Sequence, residues 1–220
     1  MSSPRLSALC LLALSACGSP DPGGADFGGT DDLGADLAGP PPLRRPFDIV
    51  GFVGTGQSLS VGAKGTPLVS TSQPYGNLKL ADPDFAGDLN AAPAPSAALA
   101  PLVEPIRAFN NRFPAGTNYP NNLNGETPHA GMANELTRLA RAADGADYVS
   151  FHSAIGASGQ SISVIKKGGT GNSYAAALYE ARVATALARK QGKRFGYGAV
   201  LLTHGETDWN LMTYGAEILQ

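Results

Sequence analysis

Three short apolar runs constrain the fold of this 220-residue chain more than any other feature. They extend from Phe47 to Val53, from Ala146 to Ile155 and from Phe195 to Thr203. Apolar runs of this length, bounded by turn residues, are typical of buried β-strands. The sequence therefore predicts at least three strands that are covered on both faces.

Two segments with the character of helices lie between these runs. Gly131 to Ala143 has a helical period, and Asn172 to Lys190 is rich in alanine and is closed by Gly192. The apolar side of the first helix is predicted to consist of Met132, Leu136, Leu139, Ala140 and Ala143. Alternation of strands and helices predicts an α/β fold in which a parallel sheet is covered by helices on both faces.

The amino terminus has the pattern of an export signal. Arg5 precedes an apolar run that is too short to span a bilayer, and residues 14–17 (Leu-Ser-Ala-Cys) resemble a lipobox. We expect residues 1–16 to be removed and Cys17 to carry the lipid that attaches the protein to a membrane. An ordinary secretory signal, with Cys17 incidental, is the alternative.

A low-complexity stretch follows the predicted lipidation site. Residues 17–46 are rich in Gly, Asp and Pro, a composition that favours a disordered tether. The aspartates lack the fixed spacing of a calcium loop, so a solvated linker is the preferred interpretation. Residues 47–220 are then expected to form one domain.

Composition excludes one class of partner and one source of stability. The net charge of −2 gives no basic footprint for nucleic acid. Cys10, the only other cysteine, lies in the predicted signal, so the mature chain has no disulfide and depends on its core. Residues 62–130 are proline-rich and irregular, and we expect them to cover the active-site face, with a poorly ordered insertion as the alternative.

Polar segments follow each of the three predicted strands. They are residues 54–60 (GTGQSLS), 156–162 (GASGQSI) and 204–208 (HGETD). Ligands bind at the carboxyl edge of an open parallel sheet, so these segments are predicted to form the functional site. Glycines at 54 and 56 favour a sharp turn that presents Ser58. On an extended segment, the side chains of His204, Glu206 and Asp208 would project to one side.

Taken together, the three segments resemble the SGNH (GDSL-type) hydrolases, especially the carbohydrate-esterase branch that includes sialate O-acetylesterases. The resemblance covers residues 47–212 and implies a three-layer, flavodoxin-like sandwich around a central parallel sheet. It implies that Ser58 of the Gly-Gln-Ser motif is the nucleophile. It further implies that Gly159, or Gly156, donates an N–H to the oxyanion.

The resemblance also implies roles for the third segment. Glu206 would orient a catalytic histidine, and His204 stands where relatives often carry an oxyanion-binding Gln. Gln57 and Asp208 are assigned with His204 to the group around the oxyanion and substrate. No metal or organic cofactor is implied, and the substrate class is an acylated carbohydrate.

Other interpretations of these residues remain open at this point. Ser58 can be the cap of a following helix, and the third segment can be a metal site or a structural cluster. The glycines at 51, 54 and 56 only partly fit a nucleotide-binding loop. We expect His129, in a proline-rich loop, and His152, in a strand, to be structural.

One element of the family pattern is not found between residues 1 and 220. SGNH enzymes carry a catalytic Asp-x-x-His block after the third segment, and no such block follows Asp208. We therefore expect a base encoded beyond Gln220 and a fold that is incomplete at its carboxyl terminus. The sequence predicts a lipid-anchored serine esterase of the bacterial cell envelope that removes O-acetyl groups from carbohydrate. The alternative is a non-catalytic carbohydrate-binding lipoprotein, or an inactive fragment, in which Trp209 and Tyr214 stack on sugar rings.

Overall fold

A five-stranded sheet forms the centre of the computed structural model, which describes residues 45–85, 87–106 and 125–219. Its strands are β1 (Ile49–Gly56), β2 (Leu78–Ala81), β3 (Ala98–Pro101), β4 (Ser150–Ala154) and β5 (Phe195–Thr203). They lie in the order β3-β2-β4-β1-β5. β1 pairs in parallel with both β4 and β5, and β2 is parallel to β4. The α/β prediction is confirmed, but the sheet is mixed because β3 is antiparallel to β2.

Four helices accompany the sheet in the described part of the chain: α1 (Pro128–Asp144), α2 (Ile162–Ile165), α3 (Ser173–Lys190) and α4 (Tyr214–Ile218). α1 begins where the Thr127 side chain accepts a hydrogen bond from the His129 N–H, and it ends at Gly145 in a left-handed conformation. α3 agrees with the predicted helix to within one residue, and Gly192 follows it with a φ of +69°.

The central strand β4 shows how the two long helices cover opposite faces. All of its residues are buried. Phe151 belongs to a core cluster that includes Tyr179 and Val183 of α3. Ala154 belongs to a separate cluster with Ala130 and Ala133 of α1. Since alternate side chains of a strand point to opposite faces, α1 and α3 lie on opposite sides of the sheet.

The prediction of which side of α1 is buried was wrong. Leu139 is half exposed, whereas the buried residues are small or polar: His129, Ala130, Ala133 and Thr137. Small side chains allow the helix to approach the sheet closely, and Thr137 Oγ1 is tied to Asn77. Of the five residues predicted to be buried, Met132, Leu136 and Ala140 are half-buried, and Leu139 and Ala143 are exposed.

Strand boundaries also differ from the predictions at several points. β1 continues through Gly54 and Gly56, which were predicted to form a turn, because β5 pairs with it as far as Thr203. β4 begins only at Ser150, whereas β5 begins and ends at the predicted residues. The stretch 62–130, predicted to be irregular, contains β2, β3 and the start of α1.

A buried polar network lies between α1 and the sheet. Asn77 is fully buried, and its Oδ1 accepts hydrogen bonds from the Ser150 N–H and from the Thr137 hydroxyl. Ser150 Oγ lies 3.0 Å from His152 Nε2, and His152 Nδ1 lies 3.0 Å from His129 Nδ1. His129 is therefore a buried residue of α1 and does not lie in a loop, whereas His152 lies in a strand as predicted.

β5 forms the outer edge of the described sheet. Along it, Val200 is 68% exposed and Leu202 is 38% exposed, although both are apolar. No other strand of the described residues pairs with its outer side. An edge of this kind presents unpaired backbone groups beside apolar side chains.

The predicted signal and lipidation site, residues 1–16 and Cys17, lie outside the described residues. Of the predicted tether, only Arg45 and Pro46 are described. Arg45 forms a 2.8 Å ion pair with Asp144, and its guanidinium lies over the Tyr148 ring. Within the described ranges, no helix has the length and apolar character needed to cross a bilayer.

The buried histidine pair predicts a specific loss of stability in acid. Burial lowers the pKa of His129 to about 4, and burial together with the neighbouring His129 lowers the pKa of His152 to about 3. An unfolded histidine binds its proton near pH 6.5, so the unfolded state takes up more protons as the pH falls. The stability that the neutral histidine pair contributes is therefore fully present above that pH and is lost progressively as the pH falls toward the folded-state pKa values. At pH 5 we expect a loss of about 2 kcal/mol for each histidine.

Urea denaturation at pH 7 and pH 5 measures this effect as a change in the free energy of unfolding. The variant His152→Gln is expected to be less stable at pH 7 but to lose less stability between the two pH values. An equal loss in the variant and in the native protein would contradict the assignment.

Candidate functional site

The carboxyl ends of β4, β1 and β5 meet at one edge of the sheet. The Gln57 N–H donates to Thr203 O (3.0 Å), and the Ala157 N–H donates to Gly56 O (2.9 Å). A Cβ atom at Gly56 would lie 1.9 Å from Thr203 O, and the φ of Gly56 is +137°. Only glycine allows this approach. The three segments that were predicted from the sequence therefore do lie side by side.

Ser58 lies in the turn that directly follows β1. Its side chain is half-buried, and Oγ makes no hydrogen bond to any described residue. Residues 57–64 form turns, and no helix begins there. The interpretation of Ser58 as a helix cap is thus wrong, since there is no helix for it to cap.

Several backbone N–H groups at this edge have no partner among the described residues. Those of Ser58 and Gly159 are among them. Gly159 is exposed and has a φ of +71°, in the left-handed region that favours glycine. Unpartnered N–H groups are suited to receive negative charge on an oxygen atom.

The Gln57 side chain connects all three segments. It is 2% exposed, and its Nε2 donates to Gln160 O (2.8 Å) and to Thr207 Oγ1. Its Oε1 accepts from the Thr207 N–H at 3.4 Å. The Thr207 hydroxyl in turn lies 3.5 Å from Gly159 O. Both ends of the amide are therefore occupied by the protein.

The His204 ring is also fully engaged. Its side chain has no exposed surface, and Nε2 lies 3.0 Å from Gln160 O. A carbonyl oxygen only accepts, so Nε2 carries the proton and Nδ1 is the acceptor. The Tyr214 hydroxyl lies 2.9 Å from Nδ1 and donates to it. Burial, with the nearby Asp208 and Glu206 carboxylates, raises the pKa of Tyr214 and keeps that donor protonated.

The two acidic residues of the third segment have different environments. Asp208 is 7% exposed, its Oδ2 accepts from the Ile162 N–H (2.5 Å), and it lies 3.7 Å from His204 Nε2. Glu206 is exposed and makes no hydrogen bond to a described residue. The third segment is not extended as the prediction assumed, because β5 ends at Thr203 and Gly205 has a φ of +134°. Asp208 still approaches the His204 ring, whereas Glu206 makes no hydrogen bond to either residue.

All three histidines of the chain are described, and each is buried within the protein. His129 and His152 contact each other beneath the sheet, and His204 binds Gln160 and Tyr214. None of them is hydrogen-bonded to Ser58. The described residues also contain no group of three or more His, Cys, Asp or Glu that is placed to hold a metal ion.

Sequence reasoning missed two participants in this site. Gln160 acts through its backbone carbonyl, which accepts from both Gln57 and His204, so its side chain gave no signal. Thr207 was expected to project away from its neighbours, yet it binds Gln57. Its position between Glu206 and Asp208 was the only available indication. Tyr214, which the alternative hypothesis assigned to sugar stacking, stacks on His204, with ring centroids 5.6 Å apart.

The chain has no match to a protein-family model, and no curated protein matches its sequence.

The close contact at Gly56 predicts that this position tolerates no side chain. In Gly56→Ala the added methyl group would meet Thr203 O, and we expect the free energy of unfolding to fall by at least about 2 kcal/mol. Gly131→Ala is the matched control, because nothing lies within 4 Å of a Cβ there and the position is helical. We expect the control to be neutral or slightly stabilising in urea denaturation. Equal stability of the two variants would contradict the contact.

Proposed function

We propose that this protein is a serine esterase of the SGNH type that removes O-acetyl groups from carbohydrate. The observation that carries the proposal is the placement of Ser58 in the turn after β1, a strand that is paired on both sides. Its hydroxyl is free, and the unpartnered N–H groups of Ser58 and Gly159 lie at the same edge. The resemblance of the three segments to the carbohydrate-esterase branch supports the same assignment.

In the proposed reaction, Ser58 Oγ attacks the acetyl carbonyl carbon and loses its proton to a base. The carbonyl oxygen becomes an oxyanion that accepts hydrogen bonds from the two backbone N–H groups. Each such donor is typically worth about 10²–10³ in rate. Collapse of the intermediate releases the sugar hydroxyl, and water then hydrolyses the acetyl-serine to acetate.

The base is the one role that none of the three segments supplies. The described histidines are engaged elsewhere, and the resemblance assigns the base to an Asp-x-x-His block that residues 1–220 do not contain. The proposal therefore assigns the nucleophile and the oxyanion donors to this chain. Glu206, exposed and without a hydrogen bond to a described residue, is the acid available to orient such a base.

A second candidate function is carbohydrate binding without cleavage, and the exposure of Trp209 favours it. Its side chain is 83% exposed directly beside Asp208, although tryptophan is among the least exposed residues in most proteins. An indole ring is suited to stacking on the apolar face of a sugar. Binding of an O-acetylated polysaccharide without release of acetate would select this function.

The serine assignment predicts that Ser58→Ala abolishes ester hydrolysis and leaves the fold intact. Ser58 Oγ bonds no described residue, so its removal costs little stability. Turnover of p-nitrophenyl acetate and release of acetate from acetylated xylan are the measurements, made on the full-length native protein. We expect turnover to fall by about 10³-fold or more, since loss of a nucleophile removes most catalysis.

Ser163→Ala is the matched control, because Ser163 is an exposed serine of α2 that has no assigned role. It should retain native turnover. Unchanged hydrolysis in Ser58→Ala would overturn the esterase proposal.

We also propose that Cys17 attaches the protein to the bacterial cell envelope, on the outer membrane or facing the periplasm. The lipobox resemblance of residues 14–17 carries this proposal. In Cys17→Ser the thiol that would carry the lipid is absent, so the protein is expected to move from the membrane fraction to the soluble envelope fraction. Firm anchoring needs several acyl chains. Immunoblots of separated fractions measure the shift, with Cys10→Ser as the control. Equal membrane association of the Cys17 variant would contradict lipidation.

A further inference from the structure

We infer that Gln57 is a positioning residue that holds the two oxyanion donors, Ser58 N–H and Gly159 N–H, at a fixed separation. The inference rests on the proposed function, since it concerns the donors of that site. It departs from the expectation that Gln57 contacts oxyanion or substrate. A side chain that is 2% exposed, with both amide atoms occupied by the protein, has no group left to offer a ligand.

The first step of the argument is that the backbone of Gln57 is fixed. Its N–H donates to Thr203 O at the end of β5, and its carbonyl oxygen accepts from the Ser60 N–H and hydroxyl. The Gln57 backbone is therefore held by β5 at its N–H and by Ser60 at its carbonyl oxygen, which belongs to the peptide that carries the Ser58 N–H. Because the Gln57 backbone is held in place, the groups that its side chain binds are held in place as well.

The second step is that the Gln57 amide binds the segment that carries the other donor. Nε2 donates to Gln160 O (2.8 Å), one residue from Gly159. A second route goes through Thr207, whose hydroxyl accepts from Nε2 and reaches Gly159 O at 3.5 Å. Residues separated by 103 and 150 positions in the chain are thus held by one side chain.

The third step is that only an amide satisfies this arrangement. The contacts need two N–H donors for Gln160 O and Thr207 Oγ1, and one acceptor for the Thr207 N–H. A carboxylate of the same shape has no donor and would place negative charge against Gln160 O. Protonation of that carboxyl group would restore one donor. Gln57→Glu is therefore a variant whose defect depends on pH.

The test compares kcat and KM of the full-length native protein and of Gln57→Glu with p-nitrophenyl acetate from pH 5 to pH 8. At pH 8 we expect kcat to fall about 10–100-fold, because a small misplacement of catalytic groups costs up to that factor, with KM within about twofold. The ratio of variant to native kcat should rise toward pH 5. A ratio that stays constant with pH, or a kcat equal to the native value at pH 8, would overturn the inference.

Gln73→Glu is the matched control. Gln73 makes the same kind of double contact away from the site, since Nε2 donates to Leu102 O (2.9 Å) and Oε1 accepts from the Tyr75 N–H (3.0 Å). It tests whether loss of a hydrogen-bonded, half-buried glutamine amide lowers kcat through general destabilisation. We expect Gln73→Glu to have a native-like kcat at every pH. A defect equal to that of Gln57→Glu would also overturn the inference.

A second measurement keeps the inference independent of the esterase proposal. Amide hydrogen exchange at pH 8 should become faster in peptides spanning residues 156–161 and 203–208 of Gln57→Glu, and should stay native elsewhere. Failure of Ser58→Ala to lower turnover would remove the esterase proposal but leave this prediction in place. Native exchange in both peptides would show that Gln57 does not hold the segments.

Discussion

The contact between the end of β1 and the end of β5 determines where everything else at the candidate site lies. At Gly56 the backbone approaches Thr203 so closely that no Cβ atom fits between them. The next residue, Gln57, hydrogen-bonds the same carbonyl group. Ser58 therefore emerges from a point that two strands hold in common. A strand with neighbours on both sides is the most rigid base that a sheet offers to a catalytic turn, and β1 is such a strand.

Buried polar groups occur in two regions of the molecule. One region lies between α1 and the sheet, and the other lies at the carboxyl edge of the sheet. Beneath the sheet, His129, His152, Ser150 and Asn77 satisfy one another and fix the contact between α1 and β4. At the carboxyl edge, His204 is occupied by Gln160 and Tyr214. Each histidine ring is thus bound within the described structure, and the unpartnered groups at the carboxyl edge include the Ser58 hydroxyl, the Glu206 carboxylate and backbone N–H groups.

The sequence predicted the parts of the fold that produce clear local patterns. β5 and α3 are long and bounded by recognisable end signals, and their bounds agree closely, although β5 is an edge strand with no fully buried residue and was predicted to be covered on both faces. β2 and β3 have four residues each, and they exist because a neighbouring strand pairs with them. Local patterns do not record such pairing. The wrong side was chosen for α1 because leucines outweighed alanines in the pattern, whereas close packing selected the alanines.

For the site, the sequence predicted which segments meet but not how they are joined. Strand ends and glycines indicated the three segments, since parallel strands bring their carboxyl ends to one edge. The contacts of Gln160 are made by its backbone, and backbone contacts leave no trace in residue type. The turn at Gly205 separates Glu206 from His204, and a period-two pattern assumes that no such turn exists.

The ion pair of Arg45 with Asp144 has a mechanical consequence. The described chain enters the sheet at the amino end of β1, and Ser58 follows its carboxyl end. Eight residues of strand place these ends about 25 Å apart. A force applied to the chain from its amino-terminal side therefore acts first on the ion pair between Arg45 and Asp144. The load enters the sheet at the end of β1 that is opposite to Ser58, and the full length of the strand lies between the two.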